Sequence, residues 1–294
     1  MTGPTGVGKS AFSVELAERL GGEIVGADAF QIYSGLPILT AQPAATLTRR
    51  VPHHLIGILD PAEACNAARF AEMARRCIGN IQSRGKVPIL TGGTGLYIKA
   101  LTHGLADLPP VDPALRKTIS EMEPLEALAR LREADLEAPD QIDTLNPARV
   151  RRALEIVLST GRPFSESRGT WKSDGGEFDG LLLLRDRIEL RKRIEENVDA
   201  MFDEGVIEEV RRIGEAGPGA SRAIGFREIQ DLIAGRITGH ACRNATITAT
   251  RHYAKRQLTW FRHQFQFPTI HLAATSPPDS PMESALRLVG RPAA

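Results

Sequence analysis

Eight residues, Gly3-Pro4-Thr5-Gly6-Val7-Gly8-Lys9-Ser10, limit what this chain can fold into more than any other segment, because they fit the pattern G-x-x-x-x-G-K-[ST]. Glycines let the backbone curl so that successive N–H groups converge on phosphate oxygens. The helical pattern from Lys9 to Leu20 adds the positive end of its dipole. Lys9 supplies a point charge, and the Ser10 hydroxyl supplies a ligand for Mg²⁺. Such a loop suits nucleoside triphosphates and equally any diphosphate held with Mg²⁺. It should follow a buried strand, yet only Met1 and Thr2 precede it. Either the start was placed too far downstream and an opening strand is missing, or another segment fills its slot. A gap there would leave ladder hydrogen bonds unmade.

The next hundred residues alternate short apolar runs with helical stretches. Glu23 to Ala27, Leu55 to Leu59 and Val87 to Thr91 read as buried parallel strands, with helices at Ala67 to Ser83 and from Thr94 onward. This alternation predicts an α/β fold, a P-loop-type parallel sheet with helices on both faces. Around Leu108 to Pro113 the texture changes to helices alone, up to about Gly161. A polar stretch from Ser173 to Gly180 follows, then one more strand at Leu181 to Leu184, then helices from Glu189 to about Phe265. A helical block between strands predicts a small all-helical domain, 111–180, inserted into a core formed by 1–110 and 181–294. The tail from Ala273 carries little signal and is expected to be loosely held.

No run approaches the roughly 20 apolar residues of a membrane helix, and the start lacks the charged and apolar regions of a secretion signal. Cys65, Cys77 and Cys242 are scattered, with no CxxC pair or metal cluster, so they read as reduced thiols of a cytoplasmic protein. A net charge of +1 argues against a nucleic-acid partner only as an average. From Arg243 to His263 the chain carries Arg243, Arg251, Lys255, Arg256 and Arg262 without one acidic residue, a local basic face of the kind phosphates need.

Four other constellations bear on chemistry. Asp28 lies just past a strand, on the side of the sheet where the phosphate loop sits. It can serve as a general base or a magnesium-shell carboxylate, or simply as a turn residue. Thr91-Gly92-Gly93-Thr94-Gly95 also joins a strand to a helix, and Thr94 offers a hydroxyl at the helix N-terminus; a plain connecting turn competes with that reading. His53 and His54 are adjacent on a strand and face opposite ways, so ordinary hydrogen bonding is expected rather than a shared metal. The arginines of Arg149-Val150-Arg151-Arg152 and of Arg222-Ala223-Ile224-Gly225-Phe226-Arg227 suit either solvent or phosphates. Tyr253, Trp260 and Phe261 can anchor their helix or stack on bases.

Taken in order, GPTGVGKS, ADAFQIYSGLPILTAQP, VPHHL, PILTGGTGLYIKAL, NPARVRRALE with STGRPF, RAIGFREI and TRHYAKRQLTWFR resemble the tRNA dimethylallyltransferase family, of the bacterial type. The resemblance implies a P-loop NTPase-like core and a prenyl transfer from dimethylallyl diphosphate to N6 of the adenosine 3′-adjacent to the anticodon of tRNA. By the same resemblance, Gly3 to Ser10 and Arg222 hold the diphosphate with Mg²⁺ on Ser10, and Asp28 is the general base, with Thr94 beside the reacting centre. Contacts to the tRNA anticodon stem-loop would come from Asp28, Ala29, Phe30, Gln31, Thr94, Arg116, Ala148 to Arg152, and Arg222 to Arg227, with Gln31 reading the flipped base. A monomer is expected.

The chain departs from the family pattern at three places. Asp28-Ala29 stands for the usual Asp-Ser, Thr40-Ala41-Gln42 for threonine-alanine-lysine, and Leu145-Asn146-Pro147-Ala148 lacks an aspartate often found there. The rivals are an adenylate isopentenyltransferase using AMP or ATP, a P-loop kinase of a small metabolite, and an RNA binder that has lost catalysis. A mononucleotide needs neither the basic insert nor the basic C-terminal helix, and a kinase predicts turnover of a triphosphate.

Overall fold

In the computed structural model, residues 1–105, 108, 111–167, 178–272 and 280–289 are described. The chain divides into two compact units, Met1–Thr102 with Gly176–Ala294, and His103–Gly175.

The first unit contains α1 (Lys9–Leu20), β1 (Gly22–Gly26), α2 (Ala45–Thr48), β2 (His53–His54), α3 (Ala67–Ser83), β3 (Val87–Thr91) and α4 (Gly95–His103, its last residue falling in the second unit). β1 lies between β2 and β3, all parallel, with Ile24 opposite both His53 and Ile89. Gly8 and Gly21 bound α1 with φ of 106° and 61°, backbone that glycine adopts without a Cβ clash. Asn66 caps α3 by accepting the Arg69 N–H, which satisfies one orphan donor of the first turn. Leu55 to Leu59 does not form the expected strand. Leu55 and Gly57 have φ of 60° and 62°, so the extended run breaks after His54 and resumes as a single bridge between Leu59 and Tyr33.

The second unit contains α5 (Pro113–Glu121), α6 (Pro124–Ala134), a 3₁₀ turn at Ala138–Gln141, α7 (Pro147–Thr160) and α8 (Phe164–Ser167). Asn146 caps α7 by accepting the Ala148 and Arg149 N–H groups, Pro147 takes its first turn, and Gly161 ends it at φ 62°. Ile119, Leu131, Val150, Leu154 and Phe164 make its separate core. Most of the polar stretch expected from Ser173 lies outside the described residues.

The chain re-enters the first unit with β4 (Leu182–Leu184), α9 (Arg187–Asp203), α10 (Val206–Ile213), α11 (Phe226–Ile233), α12 (Gly239–Gln264), β5 (Thr269–His271) and α13 (Pro281–Val289). β4 and β5 pair in parallel. The expectation of a loose tail fails for 280–289: α13 buries Met282 and Ala285 in the same core as Val14, Ile24 and Leu183.

Among the described residues, Met1 and Thr2 occupy the slot before the phosphate loop. Thr2 bridges in parallel to Gly92 on one side and to Leu182 on the other. Its N–H donates to the Leu181 carbonyl at 2.7 Å, and its carbonyl accepts from Leu183 N–H at 2.9 Å. One rung therefore links the β2-β1-β3 and β4-β5 sheets. Below it, a cavity of about 480 Å³ opens between Val87 to Leu90 and Phe178 to Leu181.

Candidate active site

All the chemistry foreseen near the phosphate loop gathers in the first unit, because it sits on consecutive carboxyl ends of parallel strands. The loop from Gly3 to Gly8 runs off the Thr2 rung, with Gly3, Gly6 and Gly8 at φ of 153°, 79° and 106°. A Cβ at position 3 would lie 2.8 Å from the Leu183 carbonyl oxygen, so this turn admits no side chain. Lys9 is folded under the loop and donates from Nζ to the Gly3 and Pro4 carbonyls, both at 2.9 Å. Desolvation lowers its pKa from 10.5 to about 8, against the charge of nearby Asp28, which favours the ammonium. The Ser10 hydroxyl makes no hydrogen bond to protein among the described residues, so its oxygen is available.

Asp28 follows β1. Its Oδ1 accepts the Phe30 N–H at 2.9 Å and the Gln31 N–H at 3.4 Å, which is the turn role weighed from the sequence. Its other oxygen sits beside Gly93: a Cβ there would be 3.7 Å from Asp28 Oδ2. The two roles are compatible, since each uses one oxygen. Thr94 is tied to the same strand end. Its Oγ1 accepts the Ala29 N–H at 2.9 Å, and its own N–H donates to the Ala27 carbonyl at 3.2 Å. The hydroxyl proton of Thr94 is thereby directed away from Ala29.

Gln257 and Glu209, which motif reading passed over, and Tyr253, read from the sequence as a helix anchor or a base-stacking residue, hold this arrangement. Gln257, on α12, is buried and clasps both glycine loops: its Oε1 accepts the Thr5 N–H at 2.8 Å and its Nε2 donates to the Gly93 carbonyl at 2.9 Å. Tyr253, one turn earlier, packs beside Phe30 with ring centroids 6.2 Å apart. Burial pushes its phenol above the ordinary range, and the Asp28 charge pushes it further, while hydrogen bonding with Thr94 and Gln257 works the other way. Glu209, on α10, accepts the Ile38 and Leu39 N–H groups at 2.9 and 2.7 Å, and burial raises its pKa. A small cavity of about 90 Å³ results, lined by Thr5, Asp28, Phe30, Leu39, Ile224 and Tyr253 among others. The larger 480 Å³ cavity lies away from all of these catalytic candidates.

Other expected residues are placed less simply. Gln31 donates from Nε2 to the Thr40 and Ala41 carbonyls at 3.1 and 2.7 Å. Gln42, standing where the family has lysine, donates to the Gln31 and Tyr33 carbonyls at 2.9 and 2.8 Å, so it staples the loop instead of offering a cation. Arg222 and Arg227 are exposed, Ala223 and Ile224 line the small cavity, and Gly225 and Phe226 are buried. In the second unit Ala148, Arg149 and Arg152 are exposed, but Val150 is core. Arg151 reaches the Met122 carbonyl at 2.7 Å, Arg116 lies 3.6 Å from Glu155, and Arg149 lies 3.6 Å from Asp143.

The acid-free stretch of α12 is not a uniformly basic face. Arg243 pairs with Asp199 and Asp203 of α9, and Arg251 pairs with Glu195. That leaves Lys255, Arg256 and Arg262 exposed without an acidic partner among the described residues. Trp260 packs over Gly95, where a Cβ would come within 2.0 Å of its ring, and Phe261 is buried. These two aromatics are packing residues. His53 and His54 are hydrogen-bonded to the Val51 carbonyl and to Glu23, at 2.7 and 2.8 Å.

Gln257→Leu tests the clasp. It would leave the Thr5 N–H and the Gly93 carbonyl unpaired, at about 1–3 kcal/mol each. Thermal unfolding is expected to show Tm lower by roughly 4–24 °C, at about 2–4 °C per kcal/mol for a chain of this size class. An unchanged Tm would mean that water satisfies both groups and the clasp is dispensable.

A parallel sheet whose strand ends carry a phosphate loop, a carboxylate and a threonine hydroxyl defines a P-loop-type, phosphate-handling transferase. The family model for IPP transferase matches residues 31–264. The chain is 40% identical to a tRNA dimethylallyltransferase of Akkermansia muciniphila over 98% of this chain and 97% of that one, and 44% identical to one of Citrifermentans bemidjiense over 88% and 87%. It resembles the crystal structure of a full-length tRNA isopentenylpyrophosphate transferase from Bacillus halodurans with a TM-score of 0.72 at 34% identity, covering 98% of this chain and 94% of that one. A eukaryotic dimethylallyltransferase acting on tRNA superposes with a TM-score of 0.81 at 26% identity, covering 99% and 79%. The chain belongs to the tRNA dimethylallyltransferase family.

Proposed function

We infer that this chain transfers the dimethylallyl group of dimethylallyl diphosphate to N6 of the adenosine 3′-adjacent to the anticodon of tRNA, releasing diphosphate. The observation that carries the reading is that, in one unit of a chain of this family, Thr5 and Gly6 of the cradle and Asp28 line the small cavity, while Thr94 is hydrogen-bonded to the backbone next to Asp28. In this reading the diphosphate lies on the loop N–H groups, and Lys9 turns from the Gly3 and Pro4 carbonyls to the phosphate oxygens. The free Ser10 oxygen, with phosphate oxygens and water, suits Mg²⁺, which binds few protein ligands. When bound, Mg²⁺ would neutralise charge on the leaving diphosphate.

The chemistry asked of the protein is then modest. The N6 lone pair forms a bond to the allylic carbon, the carbon–oxygen bond breaks, and diphosphate departs with that electron pair. An aromatic amine is a poor nucleophile, so Asp28 Oδ2 accepts its proton as the bond forms. Thr94 positions the amine, and Lys9 with Arg222 meets the charge developing on diphosphate. Arg116, Ala148 to Arg152, and Arg222 to Arg227 contact the anticodon stem-loop by shape and phosphate. Val150 and Phe226, being core, contribute there only through backbone. Asp28 to Gln31 surround the flipped base. The working form is a cytoplasmic monomer; the three cysteines are free, and among the described residues no helix is long and apolar enough to cross a membrane.

Incubation with Mg²⁺, labelled dimethylallyl diphosphate and either unmodified tRNA or AMP tests the assignment. Label is expected in tRNA and not in AMP. Label in AMP alone would identify a mononucleotide enzyme, and label in neither, from folded protein, would turn attention to ATP turnover.

A further inference from the structure

One turn beside the small cavity is held from outside itself. Residues 37–41 wind once, with the Thr40 N–H donating to the Leu36 carbonyl at 3.1 Å, the Ala41 N–H to Ile38 at 3.1 Å and the Gln42 N–H to Pro37 at 2.9 Å. A helical turn leaves its leading N–H groups without internal partners. Pro37 has no N–H, and the next two belong to Ile38 and Leu39. Both go to Glu209, Ile38 to one carboxylate oxygen and Leu39 to the other. A single carboxylate from α10, only 4% exposed, therefore caps the turn with both of its oxygens.

The turn does not keep this shape by its own preference. Ala41 has a φ of 50°, a conformation that is costly for a residue with a Cβ and persists where neighbours fix it. Gly35, just before the turn, lies over α10, where a Cβ would come within 2.9 Å of Ile213 Cδ1. Burial raises the Glu209 pKa, while the Leu39 and Ile38 N–H groups and then Arg212 favour the charged form. The turn and the carboxylate hold each other in place.

At the other end of the turn, the Thr40 and Ala41 carbonyls meet one side chain, and Gln31 Nε2 donates to both. A carboxamide carries both of its protons on nitrogen and none on oxygen, so two carbonyl acceptors fix which way the Gln31 amide faces. Its Oε1 is left without a hydrogen bond among the described residues. Thr40 and Ala41 also line the small cavity, together with Asp28.

We propose that Glu209 is a positioning residue for purine selection, a role that rests on the proposed transfer to tRNA adenosine. By capping the 37–41 turn it holds Gln31 as an acceptor, so that the site takes a 6-amino purine and rejects a 6-keto purine. Adenine carries an amine at C6, whereas guanine and the base of inosine carry an oxygen there. Asp28 accepts one amine proton, and Gln31 Oε1 accepts the other, which stays on nitrogen throughout the transfer. A keto oxygen would meet Oε1 as acceptor against acceptor, which leaves both unpaired. Released from the two carbonyls, the Gln31 amide would turn over and donate to that oxygen, and the selection would be lost.

The test measures binding of two anticodon stem-loop RNAs, alike except for adenosine or inosine 3′-adjacent to the anticodon. The parent is expected to bind the adenosine RNA about 10–150-fold tighter, the worth of one polar pair left unmade. Glu209→Gln, whose amide accepts one N–H and opposes the other, should bring that ratio to about threefold or less, with KM for dimethylallyl diphosphate within about twofold of the parent's. Gln31→Leu should lower the ratio to the same level, and combining the two should lower it no further, because they act in series. A merely destabilised protein would instead weaken both RNAs alike and keep the ratio. Should Glu209→Gln fail to fold, Glu209→Asp, which keeps the charge but draws it back by one methylene, is expected to give a ratio at least about threefold below the parent's. A parent-like ratio in the Glu209 variant, a further fall on combining it with Gln31→Leu, or a parent that binds the two RNAs equally would overturn the proposal. These ratios are read from binding alone, so a parent that selects adenosine but transfers no label would count against the proposed reaction and not against Glu209.

Discussion

Asp28→Asn is expected to slow prenyl transfer by about 10²–10⁴-fold, while tRNA affinity stays within a few-fold and Tm within about 2 °C of the parent. The asparagine substitution is the informative one because of how the carboxylate is divided. Oδ1 accepts the Phe30 and Gln31 N–H groups, and an asparagine carbonyl can do the same. Only the second oxygen changes, from a base into an amide that cannot take a proton. Asp28→Ala would remove both roles, adding the loss of the turn, about 1 kcal/mol or more, so its rate loss alone could not separate chemistry from structure. Single-turnover transfer with saturating substrates, alongside tRNA binding, makes the comparison. A rate near that of the parent in Asp28→Asn would leave Asp28 as a turn residue and nothing more.

The same division explains what the sequence revealed and what it could not. Lys9, Asp28 and Thr94 each sit at the end of a short apolar run or at the start of a glycine-opened helix, and parallel strands bring such ends to one edge. Hence α1, α3 and β3 run from Lys9 to Leu20, Ala67 to Ser83 and Val87 to Thr91, as their periodicity indicates. Leu55 to Leu59 misleads because its apolar run is continuous while its backbone is not: nothing in the pattern shows that non-glycine Leu55 takes a positive φ.

Helices contributed from far along the chain are harder to read. Gln257 meets Thr5 across 252 residues and Gly93 across 164, and Glu209 meets Leu39 across 170. A lone glutamine or glutamate on an amphipathic helix looks like any half-buried polar residue until tertiary structure brings its partners to it. The acid-free run on α12 misleads in the opposite sense. Its partners Glu195, Asp199 and Asp203 lie on α9, a different helix, so charge counted along one segment overstates the free cation. Packing decides which arginines remain available to a phosphate.

Lys9→Ala is expected to weaken dimethylallyl diphosphate binding by about 10–150-fold, the equivalent of one charge-assisted hydrogen bond of roughly 1.5–3 kcal/mol. pH gives the more pointed version of this test. The pKa of Lys9 lies below its ordinary 10.5, at about 8, so the free protein carries the charge below pH 8 and loses it above. A bound diphosphate favours the ammonium and raises that pKa, and binding above pH 8 must therefore take up a proton. Affinity of the parent should fall by up to about tenfold per pH unit above pH 8, while the Lys9→Ala protein binds weakly and with no such slope. Calorimetry in two buffers of different ionisation enthalpy reads the proton directly. A parent whose affinity is flat between about pH 7 and pH 9.5 would place the ammonium away from the phosphates. In that case the Gly3 and Pro4 carbonyls would be its lasting partners, and the backbone N–H groups of the loop would carry the diphosphate without it.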